Sequence, residues 1–320
     1  MLLVSTSFIY SAAVGHEVRQ IYHIYDENKE LIDSAPIAPR KEAWLGTDKL
    51  GYDMLSKVLI GAKFTILGAL TIAFSRMMVS VPLGLVLGTY FPKGQKYLTS
   101  LVDVFHFVPL SVVALYLLQP FLFLKAGQEP VYSLTERIAI EIVVLTILTV
   151  PVLSVLIGNE TRELLKEEYV SSAKTLGGSK LHIIKKHIFP ALREGFFILF
   201  GQQFVQTLIV MAHLGLFFLY FGGTIFPSEG GDPPKSVTNE WSGLIGGSKI
   251  FLQWAPWIPL TPIVCFAVTI LAVMLMVEGF SRVTSGRPVY FKRKNTQTLS
   301  AEKKRLRKKE NSFDFLDKSM

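Results

Sequence analysis

Apolar runs of bilayer-crossing length set the terms for this chain. Spanning the hydrocarbon takes about 20 helical residues, and such runs fall at residues 64–91, 98–124, 137–157, 195–221 and 257–280. Lipid offers the backbone no hydrogen bonds, so each run is expected to be helical. A sixth run, residues 1–15, is shorter. We expect a short or truncated first span there; a cleaved signal peptide is the rival reading, but no basic segment precedes the apolar part. The expected fold is therefore all-α and polytopic, with about six transmembrane helices. Only 18% of residues are charged, against about 25% in soluble domains. Pro82, Pro109, Pro120 and Pro151 fall within or near the spans, where neighbouring helices can satisfy freed carbonyls. Gly84, Gly88, Gly201 and Gly215 are expected to permit close helix contacts.

Charge orients the spans. Residues 282–320 carry twelve Lys/Arg against four Asp/Glu, which equals the formal +8 of the whole chain. A basic tail of this kind can suggest nucleic acid. Directly after a span it reads instead as a cytoplasmic anchor facing anionic membrane lipid. Alternation then places the 159–194 loop inside as well, and this loop holds seven Lys/Arg. Three parts are expected: residues 1–63, a first span and an extracytoplasmic segment; 64–281, the membrane domain; and 282–320, the basic cytoplasmic tail.

Within the first part, Gly46-Thr47-Asp48 and Gly51-Tyr52-Asp53 precede an apolar stretch. Thr47 or Asp48 is expected to cap a helix there. Leu55, Val58 and Leu59 would form one face of an amphipathic helix lying on the bilayer surface before the next span.

The loop at 168–190 is polar, and in a membrane protein it must lie in water. Residues 160–176 suit a helix with Leu165, Tyr169, Ala173 and Leu176 in one stripe. Gly177-Gly178 should stop it, because glycine accepts the left-handed C′ conformation. Ser179 can cap a second helix, with Leu181, Ile184 and Ile188 apolar and Lys180, Lys185 and Lys186 elsewhere, and Pro190 should close the segment. Such a corner can dock in a groove of a soluble partner. From the residues alone, a plain helical hairpin shielding the span ends fits equally well.

Glu168-Tyr-Val, then Ser171-Ser172-Ala173-Lys174-Thr-Leu176-Gly177, then Ile188-Phe189-Pro190 resembles the loop of permease subunits of ATP-binding-cassette importers, in the dipeptide/oligopeptide branch. Ser171, Ser172 and Phe189 stand where that family has Glu, Ala and Leu. Gly46, Thr47, Asp48, Gly51 and Asp53, Leu214-Gly215-Leu216, and Trp254-Ala-Pro-Trp257 resemble further elements of the same branch in the same order. The resemblance implies a type I importer permease fold whose cytoplasmic loop, including Lys180 and Leu181, is a coupling helix. It implies a homologous permease subunit, two cytoplasmic ATPases that bind ATP and Mg, and an extracytoplasmic solute-binding protein. It implies uptake of peptides or related small solutes across a bacterial cell membrane, with nickel or metal-chelate uptake as the variant. This chain itself would need no cofactor, bind no metal and not be an enzyme. The sequence has no phosphate-binding Gly-x-x-x-x-Gly-Lys-Ser/Thr loop.

Ionisable residues within spans are costly and often functional. Arg76 and Glu141 lie deep and are expected to face the bundle, in an ion pair or against substrate. Asp103 and Glu278 lie near span ends. His106 and His213 have no ligand spacing. Gln202, Gln203 and Gln206 fall roughly on one helix face, as pathway lining or as helix–helix hydrogen bonds. Cys265, the single cysteine, is expected to be a packed apolar residue. A stand-alone secondary transporter or channel is the alternative from another class. No carboxylate pair, nucleophile triad or metal motif converges at one depth to suggest a membrane enzyme.

Overall fold

A computed structural model describes residues 2–14, 18–26, 28, 30–91, 94, 97–100, 102, 108–127, 129–227 and 233–284. Asp103, His106 and the tail beyond Thr284 lie outside the described residues. The helices are α1 (Leu2–Val14), α2 (Met54–Tyr90), α3 (Leu110–Leu122), α4 (Leu134–Leu164), α5 (Glu168–Thr175), α6 (Lys180–Ile183), α7 (Phe189–Leu216), α8 (Trp241–Ser248) and α9 (Trp257–Thr284). Among the described residues, four helical stretches are long and apolar enough to cross a membrane: α2, α4, Lys180–Leu216 and α9. Among the described residues, the expected span at 1–15 holds the 13-residue helix α1, and that at 98–124 holds α3, also of 13 residues, together with helical residues 97–100 and 102; α1 and α3 are each about 20 Å long.

Helix α2 departs from expectation. The amphipathic stretch is not a separate surface helix but the first turns of one 37-residue helix. Asp53 caps it, accepting from the Ser56 amide at 2.9 Å and the Ser56 hydroxyl at 2.6 Å. Nothing breaks the helix where the stretch meets the span, and Met54, Val58, Ile60 and Ala62 are already buried. Lys63 lies inside the helix and donates to Ser11 of α1 at 2.9 Å. Thr47 and Asp48, expected as caps, serve the preceding loop: Thr47 Oγ1 accepts from the Ile37 amide, and Asp48 Oδ1 accepts from the amides of Leu50 and Tyr52, each at 2.9 Å.

The core forms where α2, α3, α4, α7 and α8 meet, around Ile72, Leu118, Leu145, Leu208 and Trp241. Helices α2 and α4 approach closely because Gly84 and Gly88 present no side chain. A Cβ on Gly84 would stand 2.6 Å from Ile157, and one on Gly88 2.5 Å from the Gly158 carbonyl oxygen. Ser133 and Glu136 form a capping box at the start of α4.

The segment between α7 and α9 is packed against the bundle. Leu219, Tyr220 and Phe221 are buried, and α8 turns Trp241 fully into the core. A small sheet ties it down: β3 (Phe123–Lys125) pairs parallel to β4 (Thr224–Phe226), which pairs antiparallel to β5 (Lys235–Ser236). A separate antiparallel pair, β1 (His23–Tyr25) with β2 (Leu31–Ser34), precedes α2.

Candidate functional site

The 168–190 loop is a helix–glycine–helix corner, with corrections. Helix α4 ends at Leu164, and a turn at 165–167 separates it from α5, so residues 160–176 are two helices. A continuous helix would have kept the expected stripe together; across the turn it is lost. Val170 is the residue α5 buries, while Tyr169 is 47% and Leu176 89% exposed. At the corner Gly177 has φ +87°. Its amide donates to the Lys174 carbonyl and that of Gly178 to the Ala173 carbonyl, both at 3.0 Å. This is the Schellman arrangement, which needs a left-handed C′ residue. Nothing lies within 4 Å of a Cβ built on Gly177, so backbone conformation, not space, demands glycine.

Ser179 caps the returning helix as expected, accepting from the His182 amide at 3.3 Å. Ile183, Ile184 and Ile188 are buried with Leu85, Leu164 and Val170, whereas Leu181, expected on that face, is 55% exposed. Pro190 does not close the segment. A π-helical turn over Ile184–Ile188 leads straight into α7, with the Phe189 amide bonded to the Ile184 carbonyl. The wider turn releases the i−4 register, so a proline without N–H is accommodated. The corner thus stands directly on a spanning helix. Lys180 sits over the Tyr90 ring at 4.9 Å, joining the corner to the end of α2.

The three glutamines separate. Gln203 is buried and turned toward Arg76; Gln202 and Gln206 are exposed, in line with Ile209 and His213 on one uncovered face of α7. A step of one residue rotates the side chain by about 100°, which divides 203 from its neighbours. Arg76 is fully buried. Its Nε donates to the Leu145 carbonyl at 3.1 Å, and its Nη1 to Thr207 Oγ1 at 2.9 Å and Gln203 Oε1 at 3.5 Å. It thereby joins α4 and α7 to α2. Thr207 was not singled out from sequence; its place one turn after Gln203 is the signal that was there. Glu141 is buried too but makes no ion pair with Arg76: it accepts from the Gly222 amide at 3.1 Å. Glu278 pairs with Arg282 at 2.8 Å on an exposed helix face. Cys265 is a free thiol, half-buried.

At the opposite end of the bundle, α8 rests on Glu240 and Trp241, neither singled out from sequence. Glu240 is fully buried and accepts from the Ser242 amide (2.7 Å), the Ser242 hydroxyl (2.7 Å) and the Gly243 amide (2.6 Å). Burial pushes its carboxyl up from 4.5 to about 7, partly opposed by those hydrogen bonds. A raised folded-state pKa means the fold takes up a proton between about pH 4.5 and 7, so this contribution to stability is lost as pH rises through 7. The stability difference between the native chain and Glu240→Gln should fall by on the order of 2–3 kcal/mol from pH 5 to pH 8. Thermal unfolding across that range measures it; a constant difference would contradict the burial argument.

Long apolar helices, glycine-mediated packing and an exposed corner seated on a span define a multi-pass α-helical membrane protein. The family model for binding-protein-dependent transport system inner membrane components matches residues 80–285, and the chain belongs to that family: it is the inner-membrane permease component of an ABC importer. The glutathione transport system permease protein GsiD of Pectobacterium atrosepticum is 23% identical over 279 residues, covering 87% of this chain and 81% of the relative. GsiD of Salmonella typhimurium is 27% identical over 256 residues, 80% of this chain and 76% of the relative. An inward-facing structure of the MetNI methionine ABC transporter aligns with 72% of this chain and 97% of its own, at 13% identity and a TM-score of 0.49.

Proposed function

We propose that this chain forms one half of the translocation path of an importer for peptides or related small solutes, and that the 168–190 corner couples it to a cytoplasmic ATPase. The observation that carries the reading is Leu176, 89% exposed at the tip of a corner whose own core is closed beneath it. An apolar tip between two rigid helices is what a groove on a soluble partner would take. Around it stand Glu168, Ala173, Lys174, Gly177, Gly178, Ser179, Lys180 and Leu181, with Ile188 buried and Pro190 exposed where the corner joins α7. Movement of the tip is passed on through the unbroken Lys180–Leu216 stretch. ATP and Mg belong to the ATPase partners, and solute is delivered by an extracytoplasmic binding protein. The GsiD relatives support peptide-like solutes such as glutathione. Gln202 and Gln206 line the path or its seam with a second permease subunit, since amides on a spanning helix avoid hydrocarbon. Gln203 instead braces Arg76.

Leu176→Glu tests the coupling. The side chain is in solvent, so stability should change by no more than about 0.5 kcal/mol. Uptake into whole cells and co-purification of an ATPase subunit should both fall at least about tenfold, because a charge would have to be desolvated in the groove. Unchanged uptake with unchanged ATPase recovery would rule out docking through this tip.

A further inference from the structure

Helix α7 carries a polar line on its uncovered face. Gln202, Gln206 and His213 recur at four and seven residues and are all exposed, with Ile209 among them. Gln202 and Gln206 stand about 21 and 15 Å from the outer end of the helix at Leu216, and about 20 and 26 Å from its start at Phe189. They therefore lie near mid-depth of a hydrocarbon layer about 30 Å thick. From there a glutamine side chain is too short to reach the headgroups. None of the three has a hydrogen-bond or ion-pair partner among the described residues, and an amide left so in hydrocarbon is strongly disfavoured.

The other spans show how this chain faces lipid. Over Val143–Leu156 of α4 and Leu260–Met276 of α9 every exposed side chain is apolar, and over Leu67–Val86 of α2 Thr71 is the one polar exception. On α7 three of the five exposed residues from Phe197 to His213 are polar, so this face is not turned to lipid. It is also poorly made for close contact with another helix, which favours small residues. The glycines of α7 serve its own neighbours instead: a Cβ on Gly201 would stand 2.2 Å from Val277 of α9, and one on Gly215 2.5 Å from the Ser242 carbonyl oxygen of α8. What suits this face is water and a solute carried in it.

On the translocation role proposed above, on which this rests, we propose that Gln202 and Gln206, with His213 nearer the outer mouth, form a ladder that takes the peptide bonds of an extended short peptide. An amide side chain both donates and accepts, as a peptide bond does, and an imidazole can do the same. The exposed line from Phe197 to His213 holds no Asp, Glu, Lys or Arg, so it answers the solute's backbone rather than its charge. Gln202 and Gln206 are one turn apart, about 6 Å along the helix. Backbone groups facing one side of an extended chain recur every second residue, about 6.6 Å apart. The two glutamines thus meet successive same-side peptide groups, whatever side chains the solute carries.

The test uses the full-length chain with its co-purifying subunits, reconstituted in liposomes. Water access is read first. Gln202→Cys and Gln206→Cys, each in a Cys265→Ser background, should react with trimethylammonium-ethyl methanethiosulfonate at least about ten times faster than Val268→Cys on the apolar face of α9, because only a wet thiol forms thiolate. Equally slow reaction would place the face against a second subunit and overturn the proposal, while leaving the coupling reading untouched. Transport is read second, with dialanine, trialanine and glutathione offered together and uptake followed by mass spectrometry. Gln202→Leu combined with Gln206→Leu should lower the maximal rate about tenfold, roughly what two lost hydrogen bonds give, with recovery of ATPase subunits unchanged. Gln202→Asn combined with Gln206→Asn should keep most of the rate: asparagine is close to leucine in size, so chemistry alone separates the two pairs. Both positions are exposed, so all variants are expected to fold, and thermal unfolding in detergent checks this. Undiminished uptake in the leucine pair, or equal loss in both pairs, overturns the ladder. Absence of any peptide uptake by the unsubstituted importer would instead overturn the solute reading beneath it.

Discussion

Replacing Gly177 by proline will abolish solute uptake while leaving the chain inserted in the membrane. The residue has φ +87°, and proline fixes φ near −65°, so the corner cannot keep its turn. The Gly177 amide, which donates to Lys174 at 3.0 Å, is also lost, and with it half of the Schellman arrangement. The damage should be local. No atom lies within 4 Å of a Cβ at this position, and the core beneath the corner is built from Val170, Ile183, Ile184 and Ile188. A graded series separates conformation from bulk. Gly177→Asn should retain most activity, because asparagine tolerates the left-handed region. Gly177→Ala should lose part of it, at about 1–2 kcal/mol of corner stability. Uptake falling in the order Gly, Asn, Ala, Pro, with constant membrane yield, is the expected result. Normal uptake in the proline variant would remove the corner from the mechanism.

What could be read from sequence followed the range of the interaction. Gly177 and Ser179 act on backbone groups one or two residues away, so turn chemistry located them. Long apolar runs located the four stretches long enough to cross, since a helix satisfies its own backbone hydrogen bonds in lipid. Where burial depends on distant partners, the reading failed. Leu181 and Ile183 are equally apolar and near each other in sequence; only the position of Leu85 and Leu164 decides that Ile183 is covered and Leu181 is not. Gln203 was grouped with Gln202 and Gln206 because periodicity ignores Arg76, 127 residues away. The glycines and prolines of the α7–α9 segment are turn signals in sequence. In the structure the glycines serve contact: a Cβ on Gly246 would stand 2.1 Å from the Gly215 carbonyl oxygen, which lets α8 lie against the end of α7.

Trp241→Ala should be among the most destabilising single changes outside the long spans, at about 3–5 kcal/mol. Helix α8 has eight residues, too few to persist without tertiary support. Trp241 supplies much of that support. It is fully buried, its ring meets Phe266 edge-on at 5.5 Å, and its indole N–H donates to the Val58 carbonyl at 2.9 Å. Its amide donates to Thr65 Oγ1 at 3.0 Å, so two points about two turns apart on α2 are held. Removing the ring opens a cavity among α2, α8 and α9 that glycine-lined helices cannot close by side-chain movement. Trp241→Phe keeps an aromatic ring but loses the N–H donor, and should cost about 1–2 kcal/mol. Thermal unfolding in detergent measures both, and hydrogen exchange locates the effect. Exchange should rise first over residues 217–227 and 233–253, while the corner at 168–190 stays protected. Loss of protection at the corner at the same time would mean that the two ends of the bundle unfold as one unit, and that Trp241 anchors the whole permease rather than its outer segment.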